Sequence, residues 1–265
     1  MNIIGIYINL EESKQDLLIS ELSDLGAVGF EQKAHILIAY FPELDFNSYG
    51  VNDLLKGLEY SVQTLPDQNW NALWESNFSP VEVDDFCYVR ASFHAPETRF
   101  EHEIIITPKM SFGTGHHATT YMMIKQMKAI DLKGKKVFDF GTGTGILSIL
   151  AEKSGAAEIY AIDIDGWSIE NAKENAELNN CSKISIELST QIPLKKFDLI
   201  LANINRNVIL EYLPQLIESL EEKGEILFSG LLINDEPAVM EACKNKLVLT
   251  KRMEKDNWIS LLMRK

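Results

Sequence analysis

Asp139-Phe140-Gly141-Thr142-Gly143-Thr144-Gly145 leaves one apolar run, Val137 to Phe140, and enters another that reads as a helix over 145–154. Three glycines in five residues let the backbone turn sharply. They also let a ligand press against main-chain N–H groups at a helix N-terminus. Twenty-two residues beyond Gly141, Asp163 lies at the end of the next predicted strand, Ile159 to Ile164. A carboxylate there can accept hydrogen bonds from both hydroxyls of a ribose. In an open sheet of parallel strands the ligand crevice lies at the carboxyl ends of the strands, where both features fall. A glycine turn and a strand-end acid at this interval point to a nucleoside-containing ligand.

Outward from the turn the chain alternates strand and helix. A helix is expected at 167–180, strands at 184–188 and 197–203, a helix at 207–220 and a strand at 224–230. A helix at 235–245 precedes two strands, 247–253 and 257–263, divided around Lys255-Asp256-Asn257. Strands separated by helices imply a mostly parallel sheet covered on both faces. The final pair reads as a hairpin that adds a reversed strand at the edge. Toward the N-terminus the order is different: a strand at 2–9, a helix at 11–25, strands at 27–31 and 35–41, a helix near 50–57 and a strand near 58–65. Leu17, Leu18, Leu22 and Leu25 carry the first helix at helical spacing, and Gly26 closes it. That order belongs to a small ferredoxin-like α+β unit. Between the two regions Trp70 and Trp74 stand four residues apart in the stretch from Pro66 to Pro80. Such a pair on one helix face ordinarily packs.

The chain has 265 residues, 46% of them apolar, 24% charged and 9% aromatic, which suits a globular protein with a sizeable core. No apolar run approaches the roughly eighteen residues that a membrane span needs. The opening Met1-Asn2-Ile3-Ile4-Gly5 lacks a basic region and a cleavage site, so no signal peptide is expected. Cys87, Cys181 and Cys243 are scattered, which argues against disulfides and structural zinc and for a reducing cytoplasm. They read as small core residues. The net charge of −14 suits a basic partner rather than a phosphate backbone. Residues 1–66 concentrate it, with ten acidic residues against three lysines, a net of −7. This is either a docking face or a solvated one.

Dinucleotide enzymes want a third glycine at the position held here by Ile146. The form D-x-G-x-G-x-G instead resembles motif I of S-adenosylmethionine-dependent methyltransferases, whose cofactor has no pyrophosphate to seat. The reversed final strand fits their usual seven-stranded Rossmann-like sheet. A second cluster, Ser111-Phe112-Gly113-Thr114-Gly115-His116-His117-Ala118-Thr119-Thr120, precedes the helix before the first sheet strand. It resembles the F-G-T-G-x-H-x-T-T segment of the methyltransferases that modify protein eleven of the large ribosomal subunit, the PrmA family. The likeness extends to Trp70-x-x-x-Trp74-x-x-x-Phe78-x-Pro80 and to Ala202-Asn203-Ile204, so it spans roughly residues 67–232. Two positions depart from the family pattern. Thr107-Pro108-Lys109 stands where Asp-Pro-Gly is usual, and Ala118 stands where proline is common.

The resemblance implies cofactor contacts from Phe112, Gly113, Thr114, Thr120, Gly141, Gly143, Asp163 and Asn203, with Thr120 near the methionine part and Asp163 on the ribose. Asn203 would border both cofactor and substrate and position the acceptor amine. Its other reading is a cap for the helix that begins near Arg206. The resemblance further implies transfer from S-adenosyl-L-methionine, leaving S-adenosyl-L-homocysteine, to amines of a basic, lysine-rich large-subunit ribosomal protein. No direct nucleic-acid or membrane partner is expected. Residues 1–66 would be the substrate-recognition domain, 67–100 a linker and the start of the catalytic region, and 101–265 the methyltransferase domain. His116 and His117, being adjacent and without spaced acidic or cysteine partners, read as packing or hydrogen-bonding residues rather than metal ligands, with His117 shaping the cofactor loop. Asp165 reads as solvated or as a helix cap. Three alternatives stay open: a methyltransferase for another protein or a small amine, a non-catalytic ribosome-associated binding protein, and a nicotinamide dehydrogenase, which Ile146 disfavours.

Overall fold

A computed structural model describes residues 2–65, 79–108 and 113–265. Trp70, Trp74, Phe78 and Phe112, on which part of the family likeness rests, lie outside the described residues, as does the side chain of Leu17. The chain divides into two compact units, residues 1–78 and 79–265.

In the first unit β1 (Ile3–Asn9), α1 (Glu12–Asp24), β2 (Gly29–Lys33), β3 (Ile36–Pro42), α2 (Ser48–Leu54) and β4 (Tyr60–Leu65) follow the expected order. They form an antiparallel sheet ordered β2-β3-β1-β4, the ferredoxin-like arrangement. Leu18 and Leu22 of α1 pack on Ile6, Ile8, Leu37 and Phe41, so the helical spacing read from the sequence is the spacing of a buried stripe. Beyond α1 the N–H groups of Gly26 and Ala27 return to the carbonyls of Ser23 and Leu22, which closes the helix at the glycine. Helix α2 starts two residues before the expected position because the Asn47 side chain accepts from the Gly50 N–H at 3.1 Å.

The second unit opens with a three-stranded sheet absent from the sequence reading: β5 (Val81–Val83), β6 (Cys87–Arg90) and β7 (His102–Ile105). Strands of three and four residues are too short to show a period, and a buried charge interrupts their apolar pattern. Arg90 forms a double hydrogen bond to Glu103, with Nε–Oε1 2.8 Å and Nη2–Oε2 3.3 Å, and also donates to the carbonyls of Ala91 and His94.

There follow α3 (Ala118–Met127), β8 (Lys136–Phe140), α4 (Ile146–Lys153), β9 (Glu158–Asp163), α5 (Gly166–Leu178), β10 (Ile184–Leu188), β11 (Phe197–Asn203), α6 (Arg206–Glu218), β12 (Leu220–Leu232), α7 (Glu236–Cys243), β13 (Val248–Lys255) and β14 (Trp258–Arg264). Seven strands form one sheet, ordered β10-β9-β8-β11-β12-β14-β13. The pairings from β10 to β12 are parallel, and both pairings of β14 are antiparallel. Successive residues of each strand feed the two cores. Val137 and Leu201 lie on one face, Phe138 and Ile200 on the other. Cys87 and Cys243 are buried in these cores, while Cys181 is only half-buried.

The last hairpin corrects one expectation. The reversed strand is β14, but it lies inside the sheet between β12 and β13, and the edge is β13. Composition explains the order. Trp258-Ile259-Ser260-Leu261-Leu262-Met263-Arg264 is buried at its five central residues, as a strand covered on both faces must be, whereas Val248–Lys255 carries three lysines and arginines and is mostly exposed.

Hydrogen bonding to Arg90 holds the Glu103 carboxyl below its ordinary range, so Glu103 stabilises the fold above its unfolded pKa and that contribution is lost on acidification. Glu103→Gln is expected to lower stability by about 1–2 kcal/mol at pH 7 and to cost progressively less below about pH 4, as denaturant midpoints at both pH values will register.

Candidate active site

The turn after β8 is shaped by what stands above it. Gly141 has φ +78°, and a Cβ built on it would lie 2.5 Å from Cγ2 of Ile204, the residue that follows β11. The N–H groups of Gly141 and Thr142 donate to the Ile162 carbonyl at 3.0 and 2.9 Å, which laces the turn to the end of β9. Ile146, where a dinucleotide fold wants glycine, is buried in the core beneath α4.

Asp139 lies behind the turn. Its Oδ2 accepts from the hydroxyls of Thr142 (2.7 Å) and Ser148 (2.6 Å), while its Oδ1 is buried without a partner. Burial pushes the carboxyl up to about 6 despite those two hydrogen bonds. The motif's acid is therefore a brace for the turn.

Asp163 has a different setting. Its Oδ2 accepts from the Gly143 N–H at 2.9 Å and its Oδ1 from the Asp165 N–H at 3.0 Å, so the carboxylate is fixed at the crevice wall. Asp165 caps α5, accepting from the N–H groups of Trp167 and Ser168. Asn203, at the end of β11, donates from Nδ2 to the Thr120 hydroxyl at 3.3 Å, and its Oδ1 is buried without a partner. The capping alternative for Asn203 is overturned: Asn205 caps α6, accepting from the Val208 N–H at 3.1 Å.

These carboxyl ends enclose a crevice of about 460 Å³, within the range of roughly 300–1,000 Å³ usual for small-molecule sites. Gly141, Gly143, Asp163 and Asn203 line it. Thr120 does not; it is fully buried and meets the site through Asn203, while its neighbour Thr119 reaches the wall. Gly113 and Thr114 also stand back from the wall, Thr114 bonding His116 and Gly113 bonding Thr144.

His117 caps α3 and lines the crevice, its Nδ1 accepting from the Thr119 N–H. Its backbone, at φ −69° and ψ 140°, is the conformation that precedes proline, so Ala118 occupies a first helical position where the family's proline would fit. His116 bonds the Ser79 carbonyl through Nε2 at 2.8 Å. Among the described residues no group of three or more His, Cys, Asp or Glu is placed to hold a metal ion.

Sequence reasoning missed Trp258, Ser189 and Gly230, which also line the crevice. Trp258 meets the His117 ring edge-on, with centroids 4.8 Å apart. It belongs to no motif, and only the hairpin's return beside β12 brings it to the site.

A seven-stranded sheet with its penultimate position reversed, a glycine turn after β8 and a carboxylate at the end of β9 define the S-adenosylmethionine-dependent methyltransferase class. The particular family follows from comparison. The chain belongs to the PrmA family: the family model for "Ribosomal protein L11 methyltransferase (PrmA)" matches residues 4–265. A protein of that name from Porphyromonas gingivalis is 41% identical over 262 residues, covering 94% of this chain and 90% of the relative. One from Chlorobaculum tepidum is 37% identical over 279 residues, covering 99% and 96%. The crystal structure of a ribosomal protein L11 methylase from Lactobacillus delbrueckii subsp. bulgaricus aligns with TM-score 0.66 and 31% identity over 71% of this chain and all of that one. A Pyrococcus furiosus methyltransferase, 17% identical with TM-score 0.52 over 61% of this chain and 88% of that one, shares the fold.

Asp139 has a pKa raised above the unfolded value of 3.8, so it favours the folded state only while protonated. That contribution should fade as pH rises from about 4 through 6, by about 3 kcal/mol in all. Stability of the wild type relative to Asp139→Asn, followed by denaturation from pH 4 to 7, is expected to decline across that window. A difference independent of pH overturns the assignment.

Proposed function

We propose that this chain transfers methyl groups from S-adenosyl-L-methionine to lysine side chains, with the α-amine as a second acceptor, of protein eleven of the large ribosomal subunit. The observation that carries the reading is the Asn203 side chain. An amide oxygen with no partner, buried at the rim of a crevice that also holds Asp163, is an acceptor waiting for an N–H donor.

The residues present fit the cofactor. Asp163 would hold the ribose hydroxyls, Gly141 and Gly143 would let the backbone approach the methionine part, and Thr120 would act through Asn203. When bound, the cofactor supplies a methyl carbon on a sulfonium leaving group. The chain's own task is to present a neutral amine in line with that carbon. A free lysine, with pKa near 10.4, costs about 4–5 kcal/mol to neutralise at pH 7. Apolar walls from Phe140, Ile204, Val208 and Trp258 lower that cost by desolvating the ammonium. The Asn203 oxygen accepts one remaining N–H and turns the lone pair toward the methyl group.

The acidic first unit would hold the basic, lysine-rich substrate, with no nucleic acid required as a tether. Ribosomal protein is met in the cytoplasm, and no helix among the described residues is long and apolar enough to cross a membrane. On this reading residues 1–66 recognise substrate, 67–100 join the units and open the catalytic region, and 101–265 carry out transfer.

Labelled methyl should pass from S-adenosylmethionine into protein eleven when purified large-subunit proteins are resolved individually; label confined to another protein overturns the substrate. Asn203→Ala is expected to cut turnover by about 10²-fold with cofactor affinity nearly unchanged, whereas Asp163→Ala should weaken cofactor binding tenfold or more by calorimetry. Equal losses of turnover and affinity in Asn203→Ala would reduce that residue to a cofactor contact. Transfer to protein eleven should also weaken as salt rises from about 0.01 to 0.15 M, since the Debye length shrinks to about 8 Å. A salt-indifferent KM would mean apolar docking instead.

A further inference from the structure

Beneath the glycine turn, on the side away from the crevice, lies a buried polar network that none of the roles above uses. Helix α5 and its C-cap present Asn171, Asn175 and Asn179 at four-residue intervals, all buried. An asparagine ladder is a costly way to fill a helix–sheet interface unless its amides have designated partners. They have. Asn179 accepts from the Ile105 N–H at 2.9 Å and donates to the Ile105 carbonyl at 2.7 Å. Asn175 accepts from the Thr107 N–H at 2.8 Å, and Asn171 donates to the Thr107 carbonyl at 3.3 Å. These side chains thus pair with the backbone at the end of β7 and just beyond it, as a neighbouring strand would.

Asn175 has a second engagement. Its Nδ2 donates to the carbonyl of Thr144, inside the glycine turn, at 2.8 Å. The hydroxyl of the same Thr144 donates to the carbonyl of Gly113 at 2.6 Å. Gly113 sits at φ +109°, and a Cβ on it would stand 2.9 Å from that hydroxyl oxygen, so glycine is required there for the contact to form. Thr107 and Gly113 are therefore both fastened to a single fully buried residue of the turn, one through Asn175 and one directly. The chain continues from Gly113 through His117 and Thr119 on the crevice wall to Thr120, which holds Asn203.

We propose that Thr144 and Asn175 are positioning residues for methyl transfer: together they set the distance between the turn that seats the methyl donor and the Thr120–Asn203 pair that orients the amine. The inference rests on the assignment of the crevice made above. It follows from the geometry of the tie. Neither residue lines the crevice. Thr144 joins the donor side of the site to the described chain that leads from Gly113 to Thr120, and Asn175 holds Thr144 in place. In-line displacement is sensitive to separation between the reacting atoms, and a misplacement of about 1 Å costs on the order of 10²-fold in rate.

Thr144→Val tests this, because it keeps volume and branching and deletes only the hydroxyl. In the full-length protein, with S-adenosylmethionine and large-subunit ribosomal proteins as substrates, kcat should fall by roughly 10- to 100-fold while the calorimetric Kd for cofactor stays within about threefold. Thr144→Ser, which restores the hydroxyl, should recover most of the lost kcat. Asn175→Ala cuts the other tie and should give the same split between kcat and Kd, which serves should Thr144→Val fail to fold. A merely structural role would lower melting temperature without that split. Thr144→Val or Asn175→Ala turning over within twofold of wild type, or losing cofactor affinity in proportion to kcat, overturns the proposal. Asp163→Ala is the control. If it binds cofactor as tightly as wild type, the crevice assignment itself fails; if it binds weakly while Thr144→Val turns over normally, only the tie fails.

Discussion

The site depends on a missing side chain. With a Cβ on Gly141 only 2.5 Å from Cγ2 of Ile204, the turn after β8 and the end of β11 cannot both hold their positions unless residue 141 is glycine. Strand β8 lies at the middle of a switch in order, with β9 on one side and β11 on the other. The carboxyl ends of those neighbours carry Asp163 and Asn203, so the closeness allowed at Gly141 brings both to one crevice. Elsewhere in the parallel part of the sheet, adjacent strands share a connecting helix that covers the gap between their ends; at the switch point none does.

Buried polar groups hold the turn on both sides. Asp139 braces it from behind through Thr142 and Ser148, and the price is a carboxyl whose ionised form is desolvated. Asn175 and Thr144 hold its other side with hydrogen bonds of 2.8 and 2.6 Å. Such networks contribute little net stability per bond, yet they specify one arrangement, since any shift leaves a buried group without a partner. A transfer reaction that asks the chain chiefly for alignment is well served by that trade.

The acid-rich first unit has its own core and its own antiparallel sheet. On the proposed reading residues 1–66, with ten acidic residues against three lysines, would attract a basic substrate over a Debye length.

Reading the sequence went furthest where the rules are local. The glycine turn, the acid twenty-two residues on, the alternation of strand and helix and the ferredoxin-like order were all legible, because turn chemistry and apolar period are properties of short stretches. The place of β14 inside the sheet was not, since a hairpin can add either of its strands to the neighbour; burial on both faces decided it. Strands β5 to β7 escaped because their organising group is the partly buried Arg90–Glu103 pair, whose members are thirteen residues apart. Within the site, Asp163 and Asn203 were named from sequence and stand at the wall, whereas Trp258 and the role of Asn175 were invisible. Asn175 meets Thr107 sixty-eight residues away and Thr144 thirty-one away, and helical spacing alone says nothing of what an asparagine faces. The sequence by itself determined the glycine turn, most of the helices and strands, and the class of ligand. Which side chains meet across the crevice was left to the tertiary structure, because those contacts form only when distant segments are packed together.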